Sequence, residues 1–185
     1  MATIIDEKLL TAEDYFALPD DEQHKELVRG RIVAMNMPGF EHGLICATVG
    51  FLLRQFVSEH GLGRVVSNDS GILTDRDPDT VRGADVAYYS YRRLPRERRP
   101  TRYTEVGPEL VFEVLSPDDC WTKMLRKVSE YLEAGVLVVG VVDPTNRKIF
   151  VYRPDTAAIE LDEQDELTLP GVLDGFRVHV RQFFE

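Results

Sequence analysis

Cysteine is scarce in this chain of 185 residues, which contains only Cys46 and Cys120, far apart and in unlike contexts. This argues against a disulfide scaffold and a CxxC motif, and it favours a reducing, cytoplasmic compartment. Long apolar runs are also missing, since the longest, residues 136–142, is interrupted by Gly140 and is far too short to span a bilayer. The first ten residues lack the basic start and apolar run of a signal peptide.

Basic residues are outnumbered, with 22 lysines and arginines against 32 acids and a net charge of −10. Such a chain lacks the broad positive surface that usually drives nucleic-acid binding. One segment is the exception, because residues 92–102 (RRLPRERRPTR) hold six arginines and one acid. This segment predicts a solvated loop, a surface for an acidic protein partner, or a DNA contact. Its candidate DNA-binding residues are Arg92, Arg93, Arg96, Arg98 and Arg99.

The chain otherwise has the composition of a globular protein, 43% hydrophobic and 29% charged, and its length fits one domain over residues 1–185. Apolar residues at helical spacing predict helices over 41–59 and 119–134, and Thr11 predicts the start of a short helix. A hairpin is predicted over 25–36, turning at Arg29-Gly30. Further strands are predicted at 63–67, 72–74, 84–89, 110–115, 136–142 and 147–153, with short strands in the tail. This order predicts a mixed α/β fold.

Two carboxylates occur where apolar side chains are expected. Glu113 is the single acid in the strand LVFEVL, and Asp85 stands between Ala84 and Val86 in another strand. A lone carboxylate in such a strand faces a large desolvation cost unless a metal ion or a cation compensates it. The alternatives are a salt bridge for Glu113 and a turn residue for Asp85. Two acids on neighbouring strands can also converge on one hard cation, which predicts a Mg²⁺ or Mn²⁺ site.

A positively charged side chain is the third component that such a site needs. Lys123 and Lys127 both lie on the helix that follows Glu113. Lys127 falls beside the buried stripe of that helix, so it is the preferred candidate. The alternative is a surface lysine that packs only its aliphatic stem.

Three further residues are ambiguous from the sequence alone. His42 shares the inward face of the first long helix, so it is either a partly buried histidine with satisfied hydrogen bonds or an active-site group. Glu26, at the start of the predicted hairpin, is also a candidate. Cys46 lies in the apolar pattern of the same helix as His42 and is predicted to be a core residue.

Six segments follow one another through nearly the whole chain: KELVRGRIV, FEHGLI, RGADVAYY, PELVFEVLSPDD, KVSEYLEAGV and VVDPTNRKIFVY. In this order and spacing they resemble the Uma-two family of endonuclease-like proteins, within the PD-(D/E)xK nuclease superfamily. The resemblance implies a restriction-endonuclease-like fold, in which helices flank a central mixed sheet and the metal site lies at the bend of the sheet.

The resemblance also implies roles for individual residues. Asp85 of RGADVAYY, preceded here by Ala84 instead of the family's usual proline, and Glu113 of VFEVLSP are the implied acids of the site. The superfamily's lysine would fall at Leu115, and Lys127 of KVSEYL is its implied replacement. Glu26 and His42 match further family landmarks at the edge of the site.

Two hypotheses of function follow. The first is a Mg²⁺- or Mn²⁺-dependent endonuclease that hydrolyses DNA: Asp85, Glu113 and the carbonyl of Val114 hold the metal, and Lys127 orients the attacking water or supports the transition state. The second is a non-catalytic binding or regulatory module with the same fold, which the acidic charge and Leu115 favour. A homodimer is expected, because cutting both strands of a duplex usually needs two sites.

Overall fold

The computed structural model describes residues 9–19, 24–117 and 119–185. Residues 1–8, on which most of the signal-peptide prediction depends, lie outside this range. The helices are α1 (Ala12–Phe16), α2 (Phe40–Glu59), α3 (Trp121–Glu133) and a C-terminal 3₁₀ helix (Val180–Phe184). No helix in these ranges is long and apolar enough to cross a membrane. The strands are β1 (Lys25–Val28), β2 (Arg31–Ala34), β3 (Gly63–Asp75), β4 (Thr80–Ser90), β5 (Leu110–Val114), β6 (Val138–Asp143), β7 (Lys148–Tyr152), β8 (Ile159–Leu161), β9 (Glu166–Leu169) and β10 (Leu173–His179).

Strands β1 to β8 form one mixed sheet, in the order β2-β1-β4-β5-β6-β7-β8 with β3 paired along β4. β5 and β6 are parallel, whereas the other pairs in this sheet are antiparallel. β4 is the central element, because β3 occupies one of its edges while β1 and β5 share the other. β1 pairs with β4 at Val81, and β5 pairs with it over Val86–Tyr88. The sheet therefore forks between these two points.

Apolar residues cover both faces of the sheet. On one face, α2 packs with β5, β9, β10 and the C-terminal 3₁₀ helix, and the residues that they bury include Val49, Phe112 and Phe183. On the other face, α3 packs through Met124, Val128 and Tyr131. Strands buried on both faces read as continuous apolar runs, which is why β5 and β6 carry so few polar residues.

Gly140, which interrupts the apolar run of β6, makes room for an aromatic ring. A Cβ at this position would lie 2.3 Å from Cε1 of Phe112 on the neighbouring strand. Phe112 is fully buried in the core, so it has no space in which to move aside. Gly140 is therefore a strand residue, as predicted, and its missing side chain leaves the space that the Phe112 ring occupies.

Several predictions of local structure are confirmed. The Thr11 hydroxyl accepts from the Asp14 amide and the Asp14 carboxylate accepts from the Thr11 amide, which is a complete capping box. The predicted hairpin turns at Arg29 and Gly30, both with positive φ (51° and 72°). Helices α2 and α3 agree with the two predicted long helices to within two residues at each end.

One strand prediction is wrong. The two short strands predicted at 63–67 and 72–74 are one strand, β3, whose register against β4 shifts between Ser67 and Ser70. Asn68 and Asp69 lie in this bulge with φ of 67° and 50°. Both residue types tolerate the left-handed region, so the strand continues through polar residues that from sequence resemble a loop.

Candidate functional site

The candidate site lies at the fork where β1 and β5 separate from β4. Gly83, inside this gap, has no strand partner on the fork side, so side chains take up its backbone groups. Its amide donates to Oε1 of Glu26 at 3.0 Å. Its carbonyl accepts from Nζ of Lys127 at 2.7 Å and from the hydroxyl of Tyr131 at 3.3 Å. The fork therefore gathers polar side chains from β1 and α3 around one backbone position of β4.

Glu113, the isolated acid of β5, points into this cluster and is only 3% exposed. Its Oε2 accepts from Lys127 Nζ at 2.8 Å, and its Oε1 accepts from the Tyr131 hydroxyl at 2.8 Å. Burial raises the pKa of Glu113 to about 8, and the charge of Asp85 adds to this effect while Lys127 opposes it. The nearby cations therefore leave part of the buried negative charge uncompensated.

Lys127 is the lysine that reaches Glu113, whereas Lys123, one turn earlier on α3, is exposed. The Lys127 ammonium contacts Glu113, the Gly83 carbonyl and also Oε1 of Glu26, the last at 3.1 Å. Burial works against its charge, but the surrounding carboxylates outweigh burial and raise the pKa of Lys127. Lys127 therefore stays protonated and acts as a cation, not as a base.

Glu26 connects the site to a second cation. Its Oε2 accepts from Nη1 of Arg82 at 2.6 Å, and Nε of Arg82 donates to Glu130 of α3 at 2.6 Å. Burial alone would raise the pKa of Glu26, but the charges of Lys127 and Arg82 outweigh it and the pKa is lowered. Glu26 is thus an ionised residue that holds Lys127 and ties β1 to β4.

Asp85 of β4 contacts a different set of groups from Glu113 and Glu26. Its Oδ2 accepts from the Val114 amide at 2.6 Å, and its Oδ1 lies 3.2 Å from Nε2 of His42. Nδ1 of His42 is in turn 3.3 Å from the Ser116 hydroxyl. The contact with Asp85 outweighs burial and raises the pKa of His42. The start of α2 is thereby fixed against the middle of β4 and the segment that follows β5.

The donor atoms fit a hard divalent cation. Asp85 and Glu113 each lie next to the last pair of the β4–β5 ladder, Val86 with Phe112, and the charge of Asp85 acts on Glu113. Three carboxylates are buried here (Glu26, Asp85 and Glu113). Lys127 contacts Glu26 and Glu113, and Arg82 is shared between Glu26 and Glu130. Carboxylate oxygens are the ligands that Mg²⁺ and Mn²⁺ prefer, and a divalent ion supplies the missing positive charge.

A family model described as "Putative restriction endonuclease" matches residues 12–181, nearly the whole chain. The chain belongs to the Uma2 family. The resemblance found in the six sequence segments is confirmed, and membership places the chain among nuclease-like proteins.

A solved structure shares the fold of this Uma2 chain. It is described as a putative nuclease belonging to DUF820 from Anabaena variabilis ATCC 29413, and the TM-score is 0.82. The two sequences are 22% identical, and the match covers 95% of this chain and 97% of that chain. The predicted fold, a mixed sheet flanked by helices, is confirmed. No curated protein matches this sequence.

The Uma2 site contains residues that sequence reasoning missed. Arg82, Glu130, Ser116 and the Tyr131 hydroxyl all contact a predicted site residue. Tyr131 lies on the buried stripe of α3, where its side chain is fully buried and its hydroxyl faces the site. The sequence did offer a signal for Arg82, the first residue of RGADVAYY. A charged side chain inside a buried strand needs a partner of opposite charge, as Glu113 does.

The arginine-rich segment forms the loop that follows β4. Arg92, Arg96, Arg98 and Arg99 are exposed there. Arg64 of β3 holds the loop, since its guanidinium donates to the carbonyls of Arg96 and Arg98, the latter at 3.0 Å. The loop therefore presents several arginine side chains to solvent on a backbone that is tied to the sheet.

Arg93 departs from the prediction that it binds DNA. Its Nη1 donates to the carbonyls of Gly107, Pro108 and Gly135 at 3.1, 2.9 and 3.1 Å. Its Nε lies 3.5 Å from the buried carboxylate of Glu109. Because its guanidinium is committed to these partners, Arg93 belongs to the scaffold that supports the loop.

Proposed function

We propose that this protein is a metal-dependent endonuclease that hydrolyses phosphodiester bonds of DNA. The observation that carries the proposal is the buried pair of Asp85 and Glu113 on adjacent strands, with Lys127 beside it. We assign Mg²⁺ or Mn²⁺ to the two carboxylates and the carbonyl of Val114. The proposal places the enzyme in the cytoplasm, where its two free thiols stay reduced.

Each residue of the proposed site has a different role in the reaction. A bound divalent ion would neutralise a phosphate oxygen and lower the pKa of a water molecule. Lys127, which is permanently charged, stabilises the negative charge that develops on the phosphate. Glu26 holds Lys127 in place through Oε1, and Tyr131 orients Glu113 through its hydroxyl. His42 holds Asp85 through Nε2.

The direct test incubates the purified protein with supercoiled, linear and single-stranded DNA in Mg²⁺, in Mn²⁺ and in EDTA. The proposal is supported if nicked or linear products form with Mg²⁺ or Mn²⁺ and do not form in EDTA. Absence of cleavage, together with absence of metal binding by calorimetry, would favour the non-catalytic module. The feature of this chain that favours the non-catalytic module is Leu115, which stands at the position of the superfamily's lysine.

The arginine loop is proposed to contact the DNA backbone beside the site. Ser90, where β4 ends and the loop begins, is five residues beyond Asp85, or about 17 Å along an extended strand. This distance corresponds to about five phosphates along one DNA strand. Replacing Arg98 and Arg99 by glutamine is expected to make the slope of log K against log salt less negative by about 2, because each lost phosphate contact removes about one unit. Fluorescence anisotropy with a labelled duplex measures this slope.

A matched pair of arginines controls for the loss of charge itself. Arg177 and Arg181 are also exposed but lie in β10 and the C-terminal 3₁₀ helix. Their replacement by glutamine is expected to leave the salt slope within error of the wild-type value. An equal change in slope for both pairs would mean that net charge, and not the loop, governs binding. If neither pair changes the slope, the loop is better explained as a surface for an acidic protein.

The homodimer is proposed to form through strand β2 and the start of α2. β2 lies at the edge of the described sheet, and all four of its residues are exposed although three are apolar. Met37 and Phe40, which follow it, are 74% and 88% exposed. An exposed apolar edge strand readily pairs with another chain. A second copy suits it, because two β2 strands can pair antiparallel across a two-fold axis.

Replacing Ile32 by lysine and Phe40 by glutamate is expected to convert the dimer to a monomer of 21.1 kDa. Light scattering after size-exclusion chromatography measures the mass. Ile159→Glu, on edge strand β8, is the control, because Ile159 is 53% exposed and lies at the opposite edge. If the wild-type protein were monomeric at all concentrations, the proposal of a dimer would be wrong.

A further inference from the structure

Three metal-binding side chains of different chemistry meet beside the carboxylate pair. His42 and Cys46 lie one turn apart on the same side of α2, and Asp85 faces them from β4. One ligand atom from each (an imidazole nitrogen, the thiol sulfur and a carboxylate oxygen) lies within 4.8 Å of the other two. The sequence prediction placed Cys46 in the core, and its side chain does pack against the core, but it is only half-buried.

The spacing of the imidazole and the carboxylate suits a small tetrahedral ion. His42 Nε2 and Asp85 Oδ1 are 3.2 Å apart. Two ligands bound to zinc at about 2.0 Å in tetrahedral geometry are separated by about 3.3 Å. The Ser116 hydroxyl, 3.3 Å from His42 Nδ1, can accept a hydrogen bond from that nitrogen. In the tautomer that carries its proton on Nδ1, this contact orients the imidazole and Nε2 is free to bind a metal.

We propose that His42, Cys46 and Asp85 form a second metal site, which binds a thiophilic divalent ion, with Zn²⁺ as the expected occupant. Thiolate and imidazole ligands select zinc over magnesium, which prefers oxygen. On binding, the Cys46 thiol releases its proton to solvent and its sulfur bonds to the ion. Three protein ligands leave a fourth position for water, as in open zinc sites.

The second site shares Asp85 with the proposed Mg²⁺ site, so the two ions compete. Zinc held by His42 and Cys46 draws Asp85 away from Glu113 and is expected to inhibit cleavage. This consequence rests on the proposed function, whereas binding of the ion does not. The test therefore begins with binding alone.

Cobalt(II) serves as the spectroscopic probe for zinc, because thiolate bonded to cobalt absorbs in the near ultraviolet. Titration of the metal-free protein is expected to produce this band with saturation at one ion per chain. Cys46→Ser is expected to abolish the band, and His42→Asn is expected to weaken cobalt binding at least about 100-fold, since loss of a ligand exceeds the effect of losing an outer contact. Added Zn²⁺ should displace the cobalt and remove the band.

Cys120→Ser provides a stringent control. Cys120 is the other thiol of the chain, it is exposed, and hydrogen bonds from the backbone of Thr122 and Lys123 lower its pKa. It would therefore bind cobalt first if any accessible thiol were sufficient. A band that survives Cys46→Ser, a band lost in Cys120→Ser, or no band in the wild type would each overturn the proposal. If Cys46→Ser fails to fold by circular dichroism, the His42→Asn titration decides.

Glu113→Gln separates this inference from the proposed function. Glu113 is not a ligand of the second site, so the cobalt band is expected to persist in this variant while cleavage is lost. A cobalt band in a wild-type protein that shows no nuclease activity would support the second site and reject the endonuclease. Cleavage by a protein that gives no cobalt band would support the endonuclease and reject the second site.

Discussion

Glu113→Gln is expected to lower Mg²⁺-dependent DNA cleavage on the order of 10³-fold, which is at the upper end of the effect of removing one group that stabilises charge in a transition state. Glutamine keeps the size of the side chain and an oxygen that accepts from the Tyr131 hydroxyl. It loses the negative charge that the proposed metal ion requires. Conversion of supercoiled plasmid to nicked and linear forms measures the rate, and calorimetry measures Mg²⁺ binding in the same samples.

Glu109→Gln is the matched control, because Glu109 is also a buried acid beside β5. Its partners are Ser90 and Arg93, outside the proposed metal site. This variant is expected to lose some stability but to keep metal-dependent cleavage when it is assayed well below its unfolding temperature. Cleavage by Glu113→Gln at the wild-type rate would sink the assignment of the active site.

The stability of Glu113→Gln distinguishes lost chemistry from lost structure. The pKa of Glu113 in the folded protein is raised to about 8, whereas a glutamate in an unfolded chain titrates near about 4.3. Its contribution to stability is therefore fully present below about pH 4.3 and is lost as the pH rises through about 8. Glutamine never ionises, so the free energy of unfolding of the variant is expected to fall less between about pH 4.3 and about pH 8 than that of the wild type.

Local signals in the sequence located the acids and the lysine of the site. Glu113 is conspicuous because its strand neighbours are all apolar, and the position of Lys127 follows from helical spacing on α3. Each inference needs only the residues within one turn or one strand. The proposed role of Asp85 in holding a metal depends on how distant strands come together, and the ordered segments of the Uma2 family supplied that information.

The remainder of the site depends on contacts between distant parts of the chain. Arg82 meets Glu26 across 56 residues and Glu130 across 48 residues, because β1 and β5 separate along β4. No local pattern encodes such a fork. The same reason explains Arg93, whose partner Gly107 is 14 residues away in the connection between β4 and β5 and whose partner Gly135 is 42 residues away. His42 and Cys46 had a local signal in their spacing of four residues, but their third ligand is on β4.

Lys127→Met is expected to lower the free energy of unfolding by about 3–5 kcal/mol, which is typical when one partner of a buried ion pair is removed. Methionine replaces the aliphatic stem, so the packing of α3 is largely kept. The carboxylates of Glu26 and Glu113, 3% exposed each, lose their shared cation. The Gly83 carbonyl loses a hydrogen bond as well. Urea unfolding followed by circular dichroism measures the change.

Lys123→Met makes the same chemical change one turn away on α3, at an exposed position. It is expected to alter stability by no more than about 0.5 kcal/mol. Saturating Mg²⁺ should restore part of the stability of Lys127→Met, since a divalent ion at Asp85 and Glu113 compensates the same buried charge. If the two lysine variants were equally stable, Lys127 would not be the counter-ion of the buried acids. If Mg²⁺ restored nothing, the carboxylates of the fork would form a structural ion network without a metal, and the endonuclease proposal would lose its main support.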